Sequence, residues 1–166
     1  MPEIDPFTRG YQQIWQILNE WVPLNALVKV GNRVDMSLDD FKKFKDELGF
    51  GDAPELVLLQ DAWAYQPAGR NSMIREVTPV YPLVITMQDL RLVPLNQIKW
   101  EVCQALTAAG LDDLGMPGFC RNWEITNAKD DPFGGEMWKR GTIRWLSAAS
   151  IRLELYLPRY SPPDET

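Results

Sequence analysis

The chain has 166 residues, 45% of them hydrophobic and 24% charged, which fits one globular domain and not a disordered tract. It carries 23 acidic against 17 basic residues and no histidine, so no Ser-His-Asp triad, Cys-His pair or His-ligated metal can be assembled from this chain alone. The net charge of −6 opposes wrapping of nucleic acid, which is driven by Lys and Arg neutralising phosphates.

The N-terminus, Met1-Pro2-Glu3-Ile4-Asp5, is acidic and polar and does not read as a signal peptide. From Phe7 to Val28 the residues Tyr11, Ile14, Trp15, Leu18, Trp21, Val22 and Asn25 recur at helical steps, with Pro23 expected to bend or interrupt the helix. Ser37 reads as the N-cap of a short second helix, Leu38 to Leu48, with Asp39 and Asp40 in its first turn. Glu55 to Tyr65 reads as one strand between Pro54 and Pro67. Met73 to Asp89 reads as another, whose Pro79 and Pro82 limit how centrally its first half can pair. After Pro94 the residues Leu95, Ile98, Val102, Ala105, Leu106 and Ala109 share a helix face that ends at Gly110.

Two more extended segments follow. In Phe119 to Asn127 the residues Phe119, Trp123 and Ile125 share a face with Arg121. In Gly141 to Leu157 the residues Ile143, Trp145, Ile151, Leu153, Leu155 and Leu157 alternate with polar or charged ones. Fifteen extended residues span ~50 Å, against a radius of gyration of ~15 Å for a domain of this size. This strand is therefore expected to bend, to bulge near Ser147-Ala148-Ala149-Ser150, or to project toward a neighbour. The predicted fold is α+β: a mostly antiparallel four-stranded sheet packed by two main helices in the order α-β-β-α-β-β, with an extra short helix after the first. Residues 1–157 form the predicted domain and 158–166 a Pro-rich tail.

Chemistry is sparse. There is no GxSxG elbow or Walker A loop, and Gly49-Phe50-Gly51 is not continued into a dinucleotide fingerprint. Cys103 and Cys120 have neither zinc-ribbon nor CxxC spacing and read as reduced, partly buried thiols. The acidic pairs Asp39-Asp40, Asp112-Asp113 and Asp130-Asp131 read as caps or solvated turns rather than as a two-carboxylate site. No cofactor, metal or catalytic residue is predicted. No stretch is long and apolar enough to span a membrane.

The seven tryptophans carry more information. Most are expected in the core. Trp138 is set apart, in a segment 128–141 that also holds Phe133, Gly134, Gly135 and Met137, with Lys139 and Arg140 adjoining. Trp, Met and Arg are enriched at interfaces, so this segment is either an assembly contact or a loop folded back on its own domain. The candidate contact residues are Phe133, Met137, Trp138, Lys139, Arg140 and, in the tail, Tyr160.

The Tyr11–Val28 helix, Glu55–Leu59, Pro82–Asp89, the Asn96–Ala109 helix and Ile151–Leu157, with its Leu-Glu-Leu-Tyr-Leu run, follow one another as in a known family. In this order of elements, in size and in acidic balance, the chain resembles the tail terminator (tail completion) proteins of long-tailed bacteriophages. The resemblance implies a structural virion protein, made in the host cytoplasm, that forms a hexameric ring on the tail tube. The ring ends tail polymerisation and joins the tail to the head or neck. It implies as partners the chain's own copies, the tail tube protein and neck or head-tail connector proteins. DNA would pass through the lumen without specific binding, past acidic residues for which Asp112, Asp113, Asp130 and Asp131 are candidates. The alternatives are another head-tail junction protein and, from a different class, a stand-alone ligand-binding domain or Asp/Glu-based enzyme.

Overall fold

The computed structural model describes residues 5–35, 54–67, 74–87, 92–110, 120–130 and 145–158. The predicted helix Leu38–Leu48, the segment 131–141 and the tail from Arg159 lie outside the described residues.

Helix α1 spans Pro6–Glu20. Asp5 caps it, its carboxylate accepting from the Thr8 N–H at 2.8 Å, and Pro6 occupies the first turn, where no donor is needed. Tyr11, Ile14 and Leu18 recur on one face and are buried. The helix stops because Trp21 is extended (φ −82°, ψ 102°) and a second helix, α2 (Val22–Leu27), restarts with Pro23 in its first turn. Had the helix continued, Pro23 would have met the Asn19 carbonyl without a donor to offer it. The Asn25 side-chain amide donates to that carbonyl instead, at 2.9 Å. The predicted interruption is thus present, two residues ahead of the proline.

A single 3-10 turn, Val30–Asn32, leads to strand β1 (Arg33–Asp35). Its first residue locks the helical hairpin. The Arg33 guanidinium donates to the Leu18 carbonyl (2.9 Å), Asn19 Oδ1 (2.6 Å) and Asn25 Oδ1 (2.6 Å), and is oriented to the Val28 carbonyl at 3.4 Å. It therefore ties the ends of α1 and α2 to the sheet edge. Burial lowers the guanidinium's pKa.

The remaining elements are β2 (Glu55–Leu58), β3 (Trp63–Gln66), β4 (Ile74–Met87), α3 (Leu92–Ala109), β5 (Cys120–Asp130) and β6 (Trp145–Pro158). The sheet runs β1-β2-β4-β6-β5, and β3 pairs with β4 alongside β2. Only the β1–β2 pairing is parallel among these; the rest are antiparallel. The α+β class, the mostly antiparallel sheet and the two main helices agree with the sequence pattern. The four predicted strands form the sheet's framework, and β1 and the separate β3 add to it.

The predicted strand Glu55–Tyr65 is two strands. β2 pairs Leu58 with Leu83, whereas β3 pairs Trp63 with Pro79, so the register moves by one residue between them. The backbone still tracks β4 across the break, with Leu59 N–H on the Pro82 carbonyl and Asp61 N–H on the Val80 carbonyl. β4 is also more central than its prolines predict. It lies between β2/β3 and β6 from Glu76 to Thr86. Each proline deletes a different ladder bond. Residues of an antiparallel strand face alternate neighbours; Val80 bonds toward β3, so Pro82 faces β2 and Pro79 faces β6. The β4–β6 ladder accordingly passes from Val77↔Leu155 to Val80↔Arg152 without a change of register. One missing donor on each side is tolerated where two on one side would open a seam.

The length problem is solved by pairing, not by projection of a lone strand: β6 is laddered to β4 from Trp145 to Pro158 and to β5 on its other side. The irregularity expected at 147–150 lies opposite those residues, on β5, where the register shifts between Thr126 and Lys129 and Asn127 takes φ 53°. Asparagine is one of the few side chains that accept this left-handed conformation. A second shift, between Cys120 and Asn122, corrects the placement of Arg121. Cys120 turns inward and is buried, while the Arg121 guanidinium lies over the Tyr156 ring, 5.8 Å from its centroid. Arg121 therefore does not share the Trp123–Ile125 face.

The core lies between α1/α2/α3 and one sheet face. Ile14, Leu18, Leu24 and Val28 meet Tyr81, Leu83, Ile151, Leu153 and Leu155, closed by Leu95, Ile98, Val102 and Leu106 of α3. α3 begins at Leu92, before Pro94, because a first-turn proline gives up no helical hydrogen bond. Gly110 ends it with φ 76°, as a C-terminal glycine does. α1 comes closest to the sheet at Gly10: a Cβ there would stand 2.6 Å from Tyr81 Oη and 3.2 Å from Leu153 Cδ1. That gap lets Tyr81 Oη donate to the Phe7 carbonyl at 2.6 Å, while Tyr11 Oη donates to the Leu58 carbonyl at 2.8 Å. Burial raises the Tyr81 pKa well above its ordinary value.

Candidate functional site

No chemical centre emerges among the described residues. No group of three or more His, Cys, Asp or Glu side chains is gathered to hold a metal ion. The Cys103 side chain is half-buried and that of Cys120 buried. Cys103 lines a mostly apolar cavity of about 290 Å³ between α3 and the sheet, with Leu83, Ile85, Val102 and Ile125.

Of the acidic candidates, Asp130 is described. It ends β5 at the mouth of this cavity, where Lys99 Nζ on α3 donates to both carboxylate oxygens (3.1 and 3.2 Å) and Ser147 Oγ on β6 donates at 2.8 Å. Partial burial works to raise its pKa, but the Ser147 and Lys99 hydrogen bonds outweigh it and hold the group below its ordinary value. Asp130 is thus a clasp joining three elements, with its charge balanced by Lys99. Asp112, Asp113, Asp131, Phe133, Met137, Trp138, Lys139, Arg140 and Tyr160 lie outside the described residues.

The described tryptophans differ from the expected core role. Trp15, Trp21 and Trp123 are half-buried at the core's margin, and Trp63 and Trp100 stand 66% and 61% exposed. Trp63 and Tyr65 point to the helix side of β3, since they pair with Pro79 and Val77 of the inward-facing row of β4. The helices do not cover this corner. The Phe7 ring meets Trp63 edge to face at 5.6 Å, and Tyr65 remains 47% exposed. All four β3 residues are exposed, and none is charged.

On α3 the charges are few and spoken for. Lys99 turns to Asp130, and Glu101 Oε2 accepts from Trp21 Nε1 at 2.8 Å. Between them Trp100 projects outward, in line with exposed Val93, Asn96, Gln97, Gln104 and Thr107. By contrast the opposite face of β5 and β6 is charged: Arg152 bridges Glu124 (3.1 Å) and Glu154 (2.8 Å). Among the described residues, aromatic surface of low charge is thus exposed at the β3 corner and along α3. The Trp100 surface was within reach of sequence reasoning, because two residues after Ile98 a helix presents its far side. Trp63 was not, because its exposure depends on where α1 begins above β3.

No family profile and no curated protein matches the chain. In structure it is similar to a chain of the virion of a native gene transfer agent (GTA) particle, with a TM-score of 0.57 at 12% sequence identity, covering 89% of this chain and 96% of that one. At this identity the likeness is one of fold, extending over nearly the whole of both chains.

Proposed function

We propose that the chain is a structural subunit of a phage-like virion, and within that class a tail-terminator-type protein that closes the tail tube as a ring and presents it to the neck. The observation that carries the reading is the fold likeness to a virion chain across nine-tenths of the sequence. The surfaces support it: an assembly subunit needs extensive uncharged contact area and no reacting groups, and α3 and β3 offer the former. The partners are further copies of this chain, most simply six, the tube protein below and connector proteins above. The segment bearing Phe133, Met137, Trp138, Lys139 and Arg140, with Tyr160, supplies further contacts to these partners. A net charge of −6 per copy repels phosphate and lets DNA pass without being held. Asp112, Asp113 and Asp131, with the more balanced Asp130, are the carboxylates assigned to the lumen.

Deletion of the gene in the producing phage or particle, followed by electron microscopy of the lysate, tests this. Tails of uncontrolled length, unattached to heads, are the expected result. Tails of normal length that fail only to join heads would move the protein to the neck, and intact particles would remove it from the virion altogether.

A further inference from the structure

A closed ring of more than two identical subunits uses a heterologous contact, in which one surface of a subunit meets a different surface of the next. Such a subunit needs two patches that fit one another. Each copy here carries −6, so copies repel one another at long range, and a close contact must supply the attraction locally. Contact gains most where apolar burial is large and charge sparse, and two surfaces among the described residues fit this: the β3 corner with Trp63 and Tyr65, whose nearest charges are the exposed Asp5 and Asp61 at its margin, and the outward stripe of α3 centred on Trp100.

Resting on the ring reading, we propose that the β3 corner of one copy packs on the outward face of α3 of the next, with Trp63 and Trp100 at the centre of the contact. The polar chemistry of the two patches matches as well as their apolar exposure. β3 offers the exposed side-chain amide of Gln66, and the exposed carboxylate of Asp61 precedes it. The stripe beside Trp100 is built from Asn96, Gln97 and Gln104. Their amides both donate and accept, so they can serve the Gln66 amide and the Asp61 carboxylate alike. Lys99 is paired with Asp130, and Glu101 is turned aside to the Trp21 indole N–H, at the margin of the contact. A buried tryptophan ringed by such groups is the usual composition of an interface centre.

Because the contact joins two unlike patches, it can be taken apart and rebuilt. Trp63→Arg and Trp100→Arg are made separately in the full chain, and their masses are measured by sedimentation velocity, alone and mixed. Both side chains are mostly exposed, so each variant should unfold at nearly the wild-type temperature; Trp63→Ala and Trp100→Ala serve if an arginine variant does not. Wild type forms the multimer, each variant alone is monomeric with association weakened ~30-fold or more, and the equimolar mixture forms a heterodimer. The heterodimer arises because the intact α3 of one variant still accepts the intact β3 of the other. A mixture that stays monomeric, or a variant that still assembles alone, overturns the assignment of these surfaces while leaving the ring itself standing. A wild-type chain that is monomeric at every concentration overturns the ring reading and this contact with it.

Discussion

Single residues set how closely the layers approach. Gly10 is the tightest point between α1 and the sheet, and a methyl group there would press on Tyr81 Oη and Leu153 Cδ1. Relief would require Tyr81 to leave the Phe7 carbonyl, or α1 to lift off the sheet. Gly10→Ala should therefore lower stability by about 1–3 kcal/mol, the usual penalty of overpacking, despite alanine's better helix propensity; urea unfolding measures it. Asp130 is a milder case. Its folded pKa lies below the ordinary 3.8, so the carboxylate's contribution is fully present above pH 3.8 and is lost as pH falls through the folded value. With Asp130 42% and Lys99 34% exposed, water screens the pair, and Asp130→Asn should cost only ~0.5 kcal/mol at neutral pH. That difference should shrink in high salt and vanish in acid below the folded pKa. A difference that persisted in acid would mean that shape and hydrogen bonding at this position matter more than charge.

At the scale of elements, what was legible in the sequence is what is decided locally. The stripes Tyr11–Ile14–Leu18 and Leu95–Ile98–Val102–Leu106 follow from helical spacing alone, and the core lies under both. Strand features fixed by a partner were not legible. The break between β2 and β3 is a register step against β4, and Arg121 changes face because of a bulge against β6. The same distinction holds for the candidate site: Trp100 departs from its own helix's apolar stripe, while Trp63 is exposed only because α1 stops short of it. Arg33 shows how such non-local features hold elements together. Its guanidinium serves carbonyls or amides at four residues from the end of α1 to Val28. Arg33→Met keeps the stem and removes these bonds, leaving several polar groups of the α1–α2 junction unpaired. It should destabilise the fold by ~2 kcal/mol, with hydrogen exchange increasing first in α2. Uniform protection loss across the sheet would show that Arg33 acts on the core instead.

At the scale of the whole molecule the deciding quantity is the ratio of a long-range repulsion to a short-range attraction. Copies carrying −6 each repel over a Debye length of ~10 Å at ~0.1 M salt and ~3 Å at ~1 M. The contact assigned to β3 and α3 holds few charges, and its attraction comes from apolar burial and amide hydrogen bonds that simple salt weakens little. Self-association should therefore tighten as sodium chloride is raised, with the multimer appearing at lower protein concentration. An interface built on ion pairs such as Arg152–Glu124 would respond in the opposite direction. The sign of the salt dependence thus separates the two kinds of contact without any substitution. On the proposed ring reading it also bears on the lumen, since the charge that hinders assembly would be the same charge that keeps DNA from sticking. Reducing the acidic excess by neutralising exposed carboxylates away from β3 and α3, such as Glu124 on the β5 face, should favour assembly at low salt. On the proposed assignment of Asp112 and Asp113 to the lumen of a ring, the same neutralisation there should raise DNA retention.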